Sequence, residues 1–356
     1  MDKALETKYM IPFWDSDIIY NETVWPLLEE DGTVKPVSLL YPIDEIIEVT
    51  DSTLEKSYAK GVDYDVADGK LVILPGGAIP CTTYDAYYPA EAAPDGTTFA
   101  RTGGGFITFG EGSRLHELQI TVTYRTAGKW DGPIPEKQGK NISHFLNKLK
   151  ENKPVSVLFY GDSITTGANS SGNVGAKPYA KDWCQLVTDA LADTYHCTNI
   201  TYKNTAVGGT TSEWGKDQAK DLAAAQEPDL AFIAFGMNCG SARMAPEVFQ
   251  DNIRGIMETI LAARPDCQFV LIATTLANKE VHGFFGNQPL YYDALKTLAE
   301  EYNGKGIGTA VANMTEMHTY LLSKKRFADM TGNNVNHPND FLARVYAQVV
   351  TETISV

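Results

Sequence analysis

Residues 155–167 read VSVLFYGDSITTG, an apolar run closed by Gly-Asp-Ser. A short run without polar alternation fits a strand buried on both faces of a parallel sheet. Gly161, Asp162 and Ser163 are turn and helix-cap residue types, so the plain reading of the run's end is a turn. The sharper reading is a nucleophile at the carboxyl end of a parallel strand, where a strand should meet a helix and where α/β proteins hold their chemistry.

The same pattern recurs after this stretch. VSVLFY, NITYKN, LAFIAF, FVLIA and IGTAVA are apolar runs, each followed by an amphipathic helical pattern. Phe249, Ile253, Ile256 and Ile260 mark one such helix by their spacing, and Phe341, Leu342, Val345 and Val349 mark the last. Strands alternating with helices predict a parallel sheet covered on both faces, a three-layer α/β/α domain over residues 153–356.

Upstream the period changes. ELQITVTYR places Leu118, Ile120, Val122 and Tyr124 on one face, and VDYDVADGKLVILP reads as strand, tight turn at Asp68-Gly69, strand. TGGGF and FGEG punctuate the remainder, and no helix-period segment intrudes. Residues 1–128 are therefore expected to form a β-sandwich, jelly-roll-like domain. KWDGPIPEKQGK reads as a linker, and Ile142, Phe145, Leu146 and Leu149 as a short lead-in helix, together residues 129–152.

Composition narrows the function classes. At 356 residues two domains are the default, and 43% hydrophobic with 21% charged residues is ordinary for a globular protein. A formal charge of −15 argues against nucleic acid, which requires a basic face, and against anionic membranes. MDKALETKYMIPFWDSD holds no apolar run fit for a signal peptide, so a cytoplasmic location is the expectation. The five cysteines (Cys81, Cys184, Cys197, Cys239 and Cys267) form no CxxC pair and read as free thiols. No P-loop, HExxH or GxGxxG motif is present.

The carboxyl ends of the expected strands converge on one crevice. They bring Ser163, the Asn204–Thr210 loop with Gly208 and Gly209, Gly236-Met237-Asn238, and the loop Asn334-Val335-Asn336-His337. A serine nucleophile needs a base such as histidine, and donors for the oxyanion of its tetrahedral intermediate. Glycine amides and an asparagine side chain are suitable donors. The parts of an acyl-transfer site are all on these strand ends.

With these four blocks in order, the chain resembles the SGNH (GDSL-type) hydrolase family, and the two-domain bacterial carbohydrate esterases within it. GDSITTG, NTAVGGTT, FGMN and NVNHPND match its blocks in turn. The resemblance implies Ser163 as nucleophile and His337 as base. It also implies an oxyanion hole of the Ser163 and Gly209 amides with the Asn238 side chain, and neither metal nor organic cofactor. It further implies a carboxylic ester substrate, with O-acetyl groups on carbohydrate first and lipid or thioester acyl groups second. Self-association is left open. A carbohydrate-binding protein with a decayed hydrolase domain is the rival from another class.

The chain departs from the pattern twice. Cys239 stands where the third block usually has Asp, and reads as a small buried residue. Asn334 stands where the fourth block has the Asp that orients histidine. Three arrangements follow: Asn334 as orienter through its amide oxygen, a backbone carbonyl in a Ser-His dyad, or a carboxylate from elsewhere, with Asp340 and Asp329 nearest in sequence. Asp162 reads as a turn-fixing residue, His282 as a cleft or surface residue, and His116 and His144 as lying outside the crevice.

Overall fold

The computed structural model describes residues 3–356. Met1 and Asp2, at the start of the expected N-terminal domain, lie outside the described residues. The N-terminal part is antiparallel: β1 (Ile18–Val24), β2 (Ile43–Asp51), the hairpin β3 (Tyr64–Ala67) to β4 (Lys70–Ile73), the hairpin β5 (Thr98–Ala100) to β6 (Phe106–Thr108), and β7 (Ile120–Thr126). β7 is the middle strand of a three-stranded sheet ordered β1-β7-β2. Asp68 and Gly69 take φ of +51° and +69° in the first hairpin, the left-handed pair that a two-residue turn requires.

Two helices stand where the sequence pattern showed none: α1 (Lys3–Tyr9) and the single turn α2 (Tyr84–Tyr87). α2 is too short to carry a period. It is set by its cap, in which the Thr83 hydroxyl accepts the Ala86 amide at 3.2 Å. The lead-in helix is α3 (Ser143–Lys150), with Phe145, Leu146 and Leu149 buried.

The second part holds the parallel strands β8 (Val155–Gly161), β9 (Ile200–Asn204), β10 (Leu230–Ala234), β11 (Gln268–Ala273) and β12 (Thr309–Asn313). Their order across the sheet is β9-β8-β10-β11-β12. Side chains leave a strand alternately to its two faces, which explains why an unbroken apolar run is needed. Val157 and Phe159 join one buried cluster with α4 (Trp183–Tyr195) and α10 (Asp340–Thr353). Leu158 and Tyr160 join the other, with α5 (Ser212–Leu222), α7 (Pro246–Ala263) and α8 (Tyr291–Gly304). The sheet is thus the middle of three layers, with an antiparallel β domain before it.

The two parts share one core. Ile19, Val24, Ile120 and Val122 of the N-terminal sheet belong to the same buried cluster as Val345 and Val349 of α10. A fully buried ion pair crosses this seam, from Lys325 after α9 (Met314–Lys324) to Glu22 of β1. The Glu22 carboxylate also accepts the Leu40 amide and the Tyr124 hydroxyl, each at 2.8 Å, so the buried charge is fully met.

Candidate active site

Strand order reverses between β8 and β10, and that switch point is where open parallel sheets leave a crevice beyond their carboxyl ends. Ser163 follows β8 there. The expected strand-to-helix junction is instead a run of turns, and the next helix begins only at Trp183. The turn residues of ANSSGN end the winding, with Asn169 in a left-handed conformation at φ +64°. Asp162 fixes the turn as expected: its buried carboxylate accepts the Ile164 amide at 3.1 Å and the Met237 amide at 3.3 Å. Burial pushes its pKa up to about 6, against the pull of these bonds and of His337.

The Met237 amide starts α6 (Met237–Ser241), so Asp162 ties the serine turn to the segment bearing Asn238. The Asn238 side chain donates one N–H to the Thr210 carbonyl at 2.9 Å. Its second N–H has no partner among the described residues. The loop after β9 runs past the serine so closely that a Cβ on Gly208 would lie 3.6 Å from that of Ser163. Gly209 is exposed, at φ +77°, a conformation suited to glycine. Among the described residues the amides of Ser163 and Gly209 donate to no protein group.

His337 reaches the serine from the loop before α10. Its Nε2 lies 2.9 Å from Ser163 Oγ, and its Nδ1 lies 2.7 Å from Asn169 Oδ1. The Asn169 amide is itself aimed, since its Nδ2 donates to the carbonyls of Gly112 at 3.1 Å and Gly332 at 3.3 Å. That leaves Oδ1 to accept from Nδ1–H, which makes Nε2 the acceptor facing the serine hydroxyl. Gly332 permits this approach, for a Cβ there would sit 2.4 Å from that of Asn169.

Asn334, one of the three orienting arrangements the sequence allowed, does not bond His337. It is fully buried at φ +66°, and its side chain faces away. Its Oδ1 accepts from the Tyr87 hydroxyl at 3.2 Å and Asn278 Nδ2 at 3.3 Å, while its Nδ2 donates to the Thr108 carbonyl at 3.0 Å. A left-handed backbone turns this side chain into the seam between the two parts. Neither Asp340 nor Asp329 replaces it. Asp340 accepts the Ser171 amide, and Asp329 holds Trp25 and Arg326.

The nearest carboxylate comes from the N-terminal part. Glu111 Oε2 lies 3.4 Å from His337 Nδ1, and its Oε1 accepts from Asn333 Nδ2 at 3.1 Å. Burial acts to raise the Glu111 carboxyl, but hydrogen bonding and charge from His337, with Asn333, hold it below its usual range. Asn333 Oδ1 in turn accepts the amides of Val335, Asn336 and His337 at 2.9, 3.0 and 3.0 Å, and so shapes the histidine loop.

The sequence model of the GDSL-like lipase/acylhydrolase family matches residues 159–344, more than half of the chain. The chain belongs to that family. Among solved structures it is similar to a two-domain esterase (CEX) active on acetylated mannans, at 22% identity and a TM-score of 0.48. That match covers 59% of this chain and 51% of the other, so this GDSL-like chain spans about half the length of that relative. Axe2, an acetylxylan esterase from Geobacillus stearothermophilus, is similar at 18% identity and a TM-score of 0.44, over 57% of this chain and 96% of that one. TesA is similar at 21% identity and a TM-score of 0.41, over 55% and 95%. No curated protein matches the sequence.

The other positions singled out in this GDSL-like sequence lie apart from the serine. Cys239 is buried and accepts the Ser212 amide at 3.1 Å, and burial pushes its thiol up to about 11. His282 is exposed, and its backbone amide bonds Ala100. His116 is buried against the Lys177 carbonyl, and His144 stands beside Asp266. Asn169 and Glu111 were not legible as site residues: one lies in a polar loop and the other in a glycine turn, and neither belongs to a family block.

Proposed function

We propose that the protein is a serine esterase that removes small acyl groups, with O-acetyl groups on carbohydrate as the substrate class. The observation that carries this reading is the continuous relay from Ser163 Oγ through the His337 ring to Asn169 Oδ1, beside free donors. Ser163 Oγ attacks the ester carbonyl carbon while His337 Nε2 takes the hydroxyl proton. The resulting imidazolium is held through Nδ1–H by Asn169. The amides of Ser163 and Gly209 with Asn238 Nδ2 receive the oxyanion, in a geometry fixed before the substrate arrives. His337 then protonates the leaving alcohol, and afterwards activates water to release the acyl group from Ser163.

The rim supports a polar alcohol. Gly208 and Gly209 are exposed, and the half-exposed Glu111 carboxylate stands beside the histidine. The test is an acyl-length series on activated esters, with acetate release from acetylated oligosaccharides. Acetyl should be preferred, and Ser163→Ala should abolish turnover without changing the fold. Faster turnover of octanoyl than acetyl esters would overturn the substrate class. Turnover that survives in Ser163→Ala would overturn the mechanism.

A further inference from the structure

The fourth block has lost its carboxylate at Asn334, yet a negative charge still faces the imidazole. It arrives from a different part of the chain. Residues 108–112 of the N-terminal domain run along the histidine loop and the turn after Ser163, and are bonded to both. Asn334 Nδ2 donates to Thr108 O at 3.0 Å, the Gly110 amide to Asn333 O at 3.5 Å, and Asn169 Nδ2 to Gly112 O at 3.1 Å. In the midst of these contacts stands Glu111, 3.4 Å from Nδ1 and anchored by Asn333.

We propose that Glu111 is a positioning residue that supplies, from the N-terminal domain, the charge that stabilises protonated His337. Asn169 sets the ring and its tautomer, and Glu111 provides the field that a neutral amide lacks. The two functions that one Asp performs in the usual family site are here divided between two residues. The N-terminal domain is then part of the active site, since both Glu111 and the Gly112 carbonyl that aims Asn169 belong to it. This inference rests on the esterase reading for its kinetic consequence but not for its titration.

Two charged groups act on the His337 ring, Glu111 beside Nδ1 and the buried Asp162 behind the serine turn. Glu111→Gln removes the first alone, and the glutamine oxygen can still accept from Asn333. With one partner half-exposed and thus screened, the imidazole titration midpoint, read by 15N NMR on the full chain, should move to lower pH. The acidic limb of kcat/KM for an activated acetate ester should move to lower pH by the same amount, with kcat about three- to tenfold lower and KM unchanged. A purely structural Glu111 would leave the midpoint in place, so a shift under about 0.2 units overturns the proposal. If the wild-type protein turns over no ester, the functional reading fails, while the NMR midpoint still decides the role of Glu111.

Discussion

His318, on α9, is buried with 1% of its surface exposed, and it makes a distinct contribution to how the protein should respond to acid. Its Nδ1 accepts the Leu276 amide at 3.0 Å, so the ring proton sits on Nε2, which has no partner among the described residues. Charging this ring would break the Leu276 bond and bury an uncompensated cation. Burial accordingly pushes its pKa down to about 3 from 6.5. The folded value is depressed, so the unfolded chain binds the extra proton first. The contribution is present above the ordinary histidine range and is lost as pH falls from there toward about 3. At one proton per molecule the slope is about 1.4 kcal/mol per pH unit, or about 2.5 kcal/mol between pH 7 and 4.5. Asp162 acts in the opposite sense. Its value is raised to about 6, so its contribution is present at low pH and lost as pH rises through that value. The net wild-type profile also contains other shifted carboxylates, with Asp182 raised by burial and Asp229 and Glu111 held low by their partners, and His318→Asn isolates the histidine, because the asparagine oxygen can still accept the Leu276 amide. Urea unfolding of both proteins at pH 7 and pH 4.5 is the assay. The loss of stability on acidification should be smaller in the variant by about 2–3 kcal/mol. Equal losses in the two proteins would refute the assignment. The region at stake borders the histidine loop, since the segment after Leu276 carries Asn278, which bonds Val335 and Asn334 of that loop.

The two asparagines beside the histidine should part company. Asn169→Ala frees the Nδ1 position and should lower kcat by about 10²–10⁴-fold with the fold intact, as measured by steady-state kinetics beside a thermal melt. Asn334→Ala strands the Tyr87 hydroxyl and the Thr108 carbonyl, and it forces alanine to a positive φ. It should cost about 2–4 kcal/mol of stability and slow the folded enzyme far less. A silent Asn169→Ala would return the orienting role to another group. Lys325→Met should cost about 3–5 kcal/mol in urea unfolding by leaving Glu22 buried and unpaired, and adding Glu22→Gln should restore most of it. If the double variant is no more stable than the single one, the loss is one of packing and not of charge.

What could be read from the sequence divides along a physical line. All five apolar runs are strands of the parallel sheet, and Phe249, Ile253, Ile256 and Ile260 are buried on α7 as their spacing requires. In all but β9, an edge strand with no buried residue, burial writes itself into consecutive residues, so the reading needs no distant partner. The Asp68-Gly69 turn was legible for the same reason, because the backbone geometry there admits few residue types. α2 was not legible, since one capped turn leaves no periodicity. The histidine's surroundings were the hardest to read. Asn334 occupies the family's position for the acid, but its left-handed φ points the side chain elsewhere, and no residue pattern announces a φ of +66°. Glu111 meets His337 only through the docking of one domain on the other, a contact between segments far apart in the chain.

That docking makes the relay a late product of folding. Ser163, Asn238, His337 and Asn169 belong to the α/β part, while Glu111 and the Gly112 carbonyl, one of the two that aim Asn169, arrive with residues 108–112. A sheet formed without them would present a serine and a histidine in the right neighbourhood, with the ring held only by an Asn169 that has lost one of its two anchors and with no charge beside it. Recovery of turnover during refolding should therefore lag recovery of helical signal. Enzymatic activity would serve as a clock for the closing of the seam between the two parts, and not for the formation of the sheet that carries the nucleophile.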